Sequence, residues 1–278
     1  MPEGAFHRLW PPDCRIFALL FKLVSPSLVG MEQFKNPPIQ EALLDIQVAL
    51  PAGVTVEALK NFHTGIETRF PERKERISWL QGFQISGPGD SHAVSSSRSV
   101  DGYLFVSNAE AKIVQARRDG FTFNKLRPYS NWETFSAEAK ELWERYVALA
   151  RPASVQRVAL RYLNRIALPL PLRDLRDYCL LFPDLPPALP QGISEFFLRV
   201  TLPVPDAPCL STVTLTFEPA IPGATMLNLI LDNEAAFFCG VRNVDTEAIW
   251  SKLAQLRDLK NKVFDASLTE KAKELFRQ

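Results

Sequence analysis

The stretch VQARRDGFTFNKLRPYSNW, Val114 to Trp132, contains a tight-turn signal, an alternating apolar pattern and a helix start, and its reading decides the fold class. Asp119-Gly120 favours a two-residue type I′ turn, whose central positions need positive φ that Asp and Gly tolerate. That turn sets Arg118 opposite Phe121, Arg117 opposite Thr122, Ala116 opposite Phe123 and Gln115 opposite Asn124. Because neighbours alternate faces, Val114, Ala116, Phe121 and Phe123 are predicted on a core side, and Gln115, Arg117, Thr122 and Asn124 on a polar side. Further on, Ser130 and Glu133 stand at capping-box spacing. From Trp132 the period lengthens: Trp132, Phe135, Ala139, Leu142, Trp143 and Tyr146 recur at three and four, which predicts a helix to about Ala150 with one buried stripe. The four basic and four aromatic residues of the stretch therefore do not form one binding patch. Phe121, Phe123 and Trp132 belong to the core by register and period.

Outward from this hairpin and helix, EALLDIQVAL after Pro37-Pro38 reads as a strand, and Thr55 caps a predicted helix that Pro71 stops after Phe70. Residues Arg76 to Ile85 and Tyr103 to Ser107 read as strands around a Gly/Ser-rich loop, SGPGDSHAVSSSRSVDG. In the second half, SVQRVALRYLNRIALP is a long strand, and the Pro-dense run to Gly192 has room only for a short helix. FFLRVTL, STVTLTF and MLNLILD follow as strands. A helix from about Thr246 and a last turn near KELF close the chain. Both halves thus run strand, helical segment ending in Phe-Pro-acid (Phe70-Pro71-Glu72 and Phe182-Pro183-Asp184), strands, long helix. Phe135, Ala139 and Leu142 match Ile249, Leu253 and Leu256 at a constant offset, which points to an internal duplication. The expected fold is α+β, two similar halves over 34–150 and 151–278, each an antiparallel sheet with helices on one face.

Composition excludes several function classes. With 32 basic and 31 acidic residues among 278, the formal charge is +1, so no global field draws the chain to nucleic acid or anionic lipid. The cysteines at 14, 179, 209 and 239 form no Cys-x-x-Cys pair, which argues against a zinc site and a disulfide framework and fits a cytoplasmic protein without metal or cofactor. Of three histidines, His63 reads as an ordinary helix residue. The apolar run Ile16 to Val24 follows Arg8 and Arg15 but contains Lys22 and falls short of the roughly 20 residues of a membrane span. Residues 1–30 are expected to be a non-structural extension, with Met31 the native start.

One local feature points to binding. In VQRVALRYLNRI, Arg157, Arg161 and Arg165 fall four apart and share a strand face with Ala159 and Leu163, while Val158, Leu160, Tyr162 and Ile166 take the other. Between Lys112 and Arg165 there are 11 basic and 5 acidic residues. Guanidinium groups fixed along a strand suit phosphate or carboxylate recognition. The competing arrangement has Glu41 and Asp45, also four apart, pairing with two of the arginines across strands. Glu41 and Asp45 are also the one acid/base pair that can be named. No G-x-S-x-G, H-E-x-x-H, Walker loop or Rossmann fingerprint occurs, and SGPGD lacks the Lys-Ser/Thr of a phosphate loop.

The runs PPIQEALLDIQV, QARRDGFTFNKLRPYSNW, RYLNRIALPLP and LRDLKNKVFDASLTEKAKELF together resemble a sporadically distributed family of uncharacterised bacterial proteins of about this length. The resemblance starts near Phe34 and runs to the C-terminus. It implies a bacterial, cytoplasmic accessory protein and supplies no catalytic residues. The function expected is non-enzymatic binding of an anionic ligand, nucleic acid or a neighbour-encoded protein, with no membrane. Arg117, Thr122, Asn124, Arg157, Arg161 and Arg165 are the candidate site residues. Two alternatives stand beside it. One is a partner module acting through Leu253, Leu256, Leu259 and Val263 of the last long helix, and the other is an enzyme whose site lies between the halves.

Overall fold

In chain order the strands are β1 (Ile39–Ala49), β2 (Glu72–Phe83), β3 (Val94–Ser107), β4 (Lys112–Arg117), β5 (Gly120–Leu126), β6 (Ser154–Pro169), β7 (Phe197–Pro203), β8 (Cys209–Phe217) and β9 (Met226–Val241). The helices are α1 (Trp132–Ala150), α2 (Thr246–Ser267) and α3 (Glu270–Arg277), with short 3-10 helices at Glu57–His63 and Leu175–Asp177. The structure is a computed structural model and describes residues 34–83, 94–219, 221–241 and 244–278. The expected extension over residues 1–30, and with it Met31, lies outside the described residues, as do His92 and the SGPGD segment.

All nine strands form one antiparallel sheet in the order β2-β3-β4-β5-β1-β6-β9-β8-β7. Its centre is the antiparallel pair of β1 and β6, from Ile39↔Asn164 to Ala49↔Ser154. In each half the strand that closes the meander packs beside the opening one, β5 on β1 and β9 on β6. The fold is α+β, as the alternation of periods predicts.

α1 and α2 lie on one face of this sheet. Alternation sends Ala42, Leu44, Ile46 and Val48 of β1, Val114 and Ala116 of β4, and Phe121 and Phe123 of β5 to that face, where all are buried. The α1 stripe Phe135, Ala139, Leu142, Trp143 and Tyr146 closes over them. Phe121 meets Trp143 edge-on at 5.8 Å, and Phe123 stacks on Phe135 at 5.2 Å. Trp132 is only partly buried at the edge of this cluster. A second cluster joins β8, β9 and the end of β6 to Tyr178, Cys179, α3 and Phe276.

Several local expectations are corrected. The hairpin loop is Arg118-Asp119, not Asp119-Gly120, so Arg117 opposes Gly120 and Ala116 opposes Phe121. Neighbouring strands hold the turn there, with Val48 N–H donating to Asp119 O and Arg118 N–H to Asp101 O, both at 2.9 Å. Gly120 has φ +155°, and a Cβ on it would lie 2.2 Å from the Ile46 carbonyl oxygen, so this glycine allows a close strand approach and does not form the turn centre. The slip is two residues of β5 against β4, an even number, so every side chain keeps its predicted face.

The N-cap of α1 is Asn131, whose side chain accepts from Thr134 N–H at 2.8 Å, one residue beyond the predicted Ser130. The helix expected from Thr55 to Phe70 is a 3-10 helix followed by turns, with Gly65 at φ +85°. Leu59, Phe62, Ile66 and Phe70 still bury their side chains, so the apolar spacing is satisfied without α geometry. His63 is structural here, its Nε2 bonded to Phe70 O at 2.6 Å. Strand pairing consumes much of the Gly/Ser-rich segment, since β2 and β3 pair from Glu72↔Val106 to Phe83↔Val94. Leu253 and Leu256 are core residues, and Leu259 and Val263 pack against the two clusters, so the α2 stripe is spent within the fold.

Candidate functional site

On the face opposite α1 and α2, the strands bring Arg117, Thr122 and Asn124 beside the arginine row, and acceptors meet every one of them. Asp45 on β1 lies between Arg117 (2.9 Å) and Arg157 (3.3 Å) and accepts from Thr122 Oγ1 at 2.8 Å. Arg117 Nη1 also donates to Thr122 Oγ1 at 2.5 Å and Nε to Asp119 at 2.9 Å. Asn124 Nδ2 donates to Glu41. Arg157 reaches Glu234 at 2.6 Å, Arg161 forks onto Asp232 at 2.8 and 2.5 Å, and Arg165 holds Glu218. These bonds hold the Arg161 and Arg165 guanidiniums further into their charged form, chiefly through Asp232 and Glu218 respectively.

The expected competition for the row is thus real but distributed otherwise than the sequence proposes. Asp45 alone takes two arginines, Glu41 takes an amide, and β9 with the loop after β8 supplies the remaining carboxylates. Arg117, Thr122 and Asn124 are only 8%, 2% and 5% exposed, so this part of the face is a closed polar network and not a solvated surface.

The other polar concentration lies on the helix side, where the start of α1 and the middle of α2 meet β6. A cavity of about 210 Å³ opens between residues 34–39, the 129–133 segment that starts α1, Tyr162 and Asn164 of β6, and Arg257, Lys260, Asn261 and Phe264 of α2. The chain before β1 is fixed over it: Asn36 N–H donates to Phe276 O at 2.9 Å and Phe34 packs edge-on to Phe276 at 5.3 Å. Tyr129 and Tyr162 join through their hydroxyls, 2.9 Å apart. Burial pushes the Tyr129 phenol up to about 12 and that of Tyr162 well above its ordinary value, so both remain protonated.

Lys260 is the unusual member. It stands four residues after Leu256 on the buried stripe of α2 and is 8% exposed. Its Nζ lies 3.6 Å from the centroid of the Tyr162 ring, and among the described residues it has neither a carboxylate nor another hydrogen-bond acceptor. Desolvation, with Arg257 as a second cause, pushes the amine down to about 7. The ring face opposes this by roughly 0.5–2 kcal/mol in favour of the ammonium. The helix turn carrying Lys260 is fixed, because Asn233 of β9 donates to the Lys260 carbonyl at 2.7 Å. At the rim, Arg257 lies 5.6 Å from the Trp132 ring and 3.6 Å from the exposed Glu133 carboxylate.

The sequence places an alternative site between the halves but names none of these residues as functional, though a signal exists. Lys260 occupies an apolar-phase position of α2, and Asn164 and Asn233 occupy core-face positions of β6 and β9, where both are buried. Among the described residues no cluster of His, Cys, Asp and Glu could hold a metal ion, Cys179, Cys209 and Cys239 are free, and no helix is long and apolar enough to cross a membrane. No protein-family model matches the chain, and no curated protein matches it.

Proposed function

We propose that this is a binding protein for a small anionic molecule, held in the cavity at the seam of two halves related by duplication. The observation that carries the reading is Lys260: a nearly buried amine lining a cavity, with no ion pair of its own among the described residues, while the carboxylate at the rim, Glu133, is paired with Arg257. Burying an unpaired ammonium is costly, so a ligand carboxylate or phosphate would supply what the fold omits. Arg257 at the rim already has the exposed Glu133 carboxylate of the first turn of α1 at 3.6 Å, so Lys260 carries the assignment. At about 210 Å³ the cavity is below the roughly 300–1,000 Å³ typical of drug-sized ligands, so the occupant is small.

The arginine-lined face supports this assignment less well, because its guanidiniums already have acceptors within the chain. The duplication is supported by the common order of opening strand, meander and long helix, with one more strand in the first segment, and by the central strands and long helices, which begin at Ile39 and Ser154 and at Trp132 and Thr246. On this reading, and on the motif resemblance to sporadically distributed bacterial proteins, the chain is an accessory protein.

The test is calorimetry with lactate and with inorganic phosphate at pH 6 and pH 9. An anion needs the ammonium, so affinity is expected to fall as pH rises through about 7. Binding should be lost in Lys260→Met. No binding at pH 6 by either probe, or binding that survives Lys260→Met, would overturn the reading.

A further inference from the structure

Resting on this assignment of the cavity, we propose that Lys260 is a nucleophile that captures a small oxo acid as an imine, with the acid's carboxylate directed by Arg257. Three arrangements support it. The amine is enclosed but reachable, since it lines the cavity. It has no carboxylate partner among the described residues, and the charge that acts on it, Arg257, is a cation whose own partner is the exposed Glu133. Enclosure of this kind, beside a second cation, is how a lysine becomes a nucleophile near neutral pH. The third is the Tyr129–Tyr162 hydroxyl pair on the same wall. One hydroxyl donates to the other, which leaves the second phenolic proton free to pass to a substrate oxygen.

The step balances without a further reagent. The neutral Nζ donates its lone pair to the carbonyl carbon, and the C=O π pair moves onto oxygen, which takes a proton from the phenol pair. Nitrogen, left with two protons, returns one to the phenolate and becomes the neutral carbinolamine; the hydroxyl then leaves as water, taking the second nitrogen proton by way of the phenol pair, while the nitrogen lone pair forms the C=N bond. One oxo acid and one amine thus yield one imine and one water, with no change of oxidation state. Both phenols remain protonated across the neutral range, so a hydroxyl proton is present to meet the oxygen as its charge develops.

The experiment is reductive trapping of the full chain with pyruvate and cyanoborohydride, read by intact mass and peptide mapping, beside lactate calorimetry on the same preparation. One adduct on the peptide carrying Lys260 is expected. Its initial rate should rise about tenfold from pH 6 to pH 8 as the amine deprotonates, opposite in sign to lactate affinity. Lys260→Arg should lose the adduct and Tyr129→Phe should slow trapping, whereas Lys262→Arg, at an exposed position of α2, should leave both trapping and lactate affinity unchanged. If lactate binds but no adduct forms, or adducts scatter over surface lysines, the imine falls and the anion site stands. If neither lactate nor pyruvate has any effect, both fall.

Discussion

Two buried charges of this protein are handled in opposite ways, and single substitutions should separate them. Asp45 has side-chain exposure near 10% and binds two guanidiniums that are themselves largely buried. Asp45→Ala would leave both without their common acceptor and is expected to cost about 3–5 kcal/mol in urea unfolding. Arg161 is paired as well, but 45% exposed, and Arg161→Ala should cost under about 1 kcal/mol. Lys260 has no such compensation. Its amine is depressed in the folded chain, so the unfolded chain binds more protons between pH 7 and the ordinary lysine range. Stability contributed by this site therefore rises with pH across that window, and its full penalty is present below pH 7. Lys260→Met should stabilise the protein at pH 7 by on the order of 3 kcal/mol, a gain that vanishes above about pH 10.5. Thermal unfolding of both chains at pH 7 and pH 10.5 measures it, and equal gains at the two pH values would contradict the assignment.

At the scale of elements, existence and face are legible in the sequence and extent is not: the cap and the hairpin shift by one or two residues, while β3 starts at Val94 and not Tyr103 and β9 runs on to Val241 past the expected Asp232. The α1 stripe was readable because Phe135, Ala139, Leu142 and Tyr146 repeat at helical period, and burial follows that repeat. The cap was not, because Ser130 and Asn131 are both good caps and the choice rests on which oxygen reaches Thr134 N–H. Asn131→Ala should cost about 1 kcal/mol, whereas Ser130→Ala should change unfolding little. The hairpin was misplaced for a related reason. Asp119-Gly120 is a good turn dipeptide in isolation, but the close approach of β1 to β5 needs the glycine inside the strand. The arginine row was readable by alternation on β6; its partners on β9 and beyond were not, since strand order is a long-range property. Lys260 was overlooked because a lysine among DLKNK reads as a solvated face unless its phase on the stripe is checked.

For the whole molecule, the pairing of β1 with β6 makes the two halves one sheet. Separate expression of residues 34–150 and 151–278 would expose β1 and β6 as unpaired edges, each with a complete row of free backbone groups. Neither piece is expected to show a cooperative thermal transition alone, while the full chain should show one transition by fluorescence and by circular dichroism. The sheet's own edges differ in character. β2 opens with Glu72, Arg73, Lys74, Glu75 and Arg76, charges that discourage pairing with another chain, whereas β7 presents Phe197 at 71% exposure and Leu202 at 46%.

The seam also constrains how any occupant is exchanged. A cavity set between two lobes usually calls to mind jaws that swing shut on their prey, yet here the jaws share a hinge-free backplate. Antiparallel hydrogen bonds run across it from one half to the other. Loading the cavity should therefore leave the solution scattering profile unchanged, since the segment over the cavity is the short Phe34–Pro38 strap pinned to the last helix and no rocking of one side of the sheet against the other is open to it.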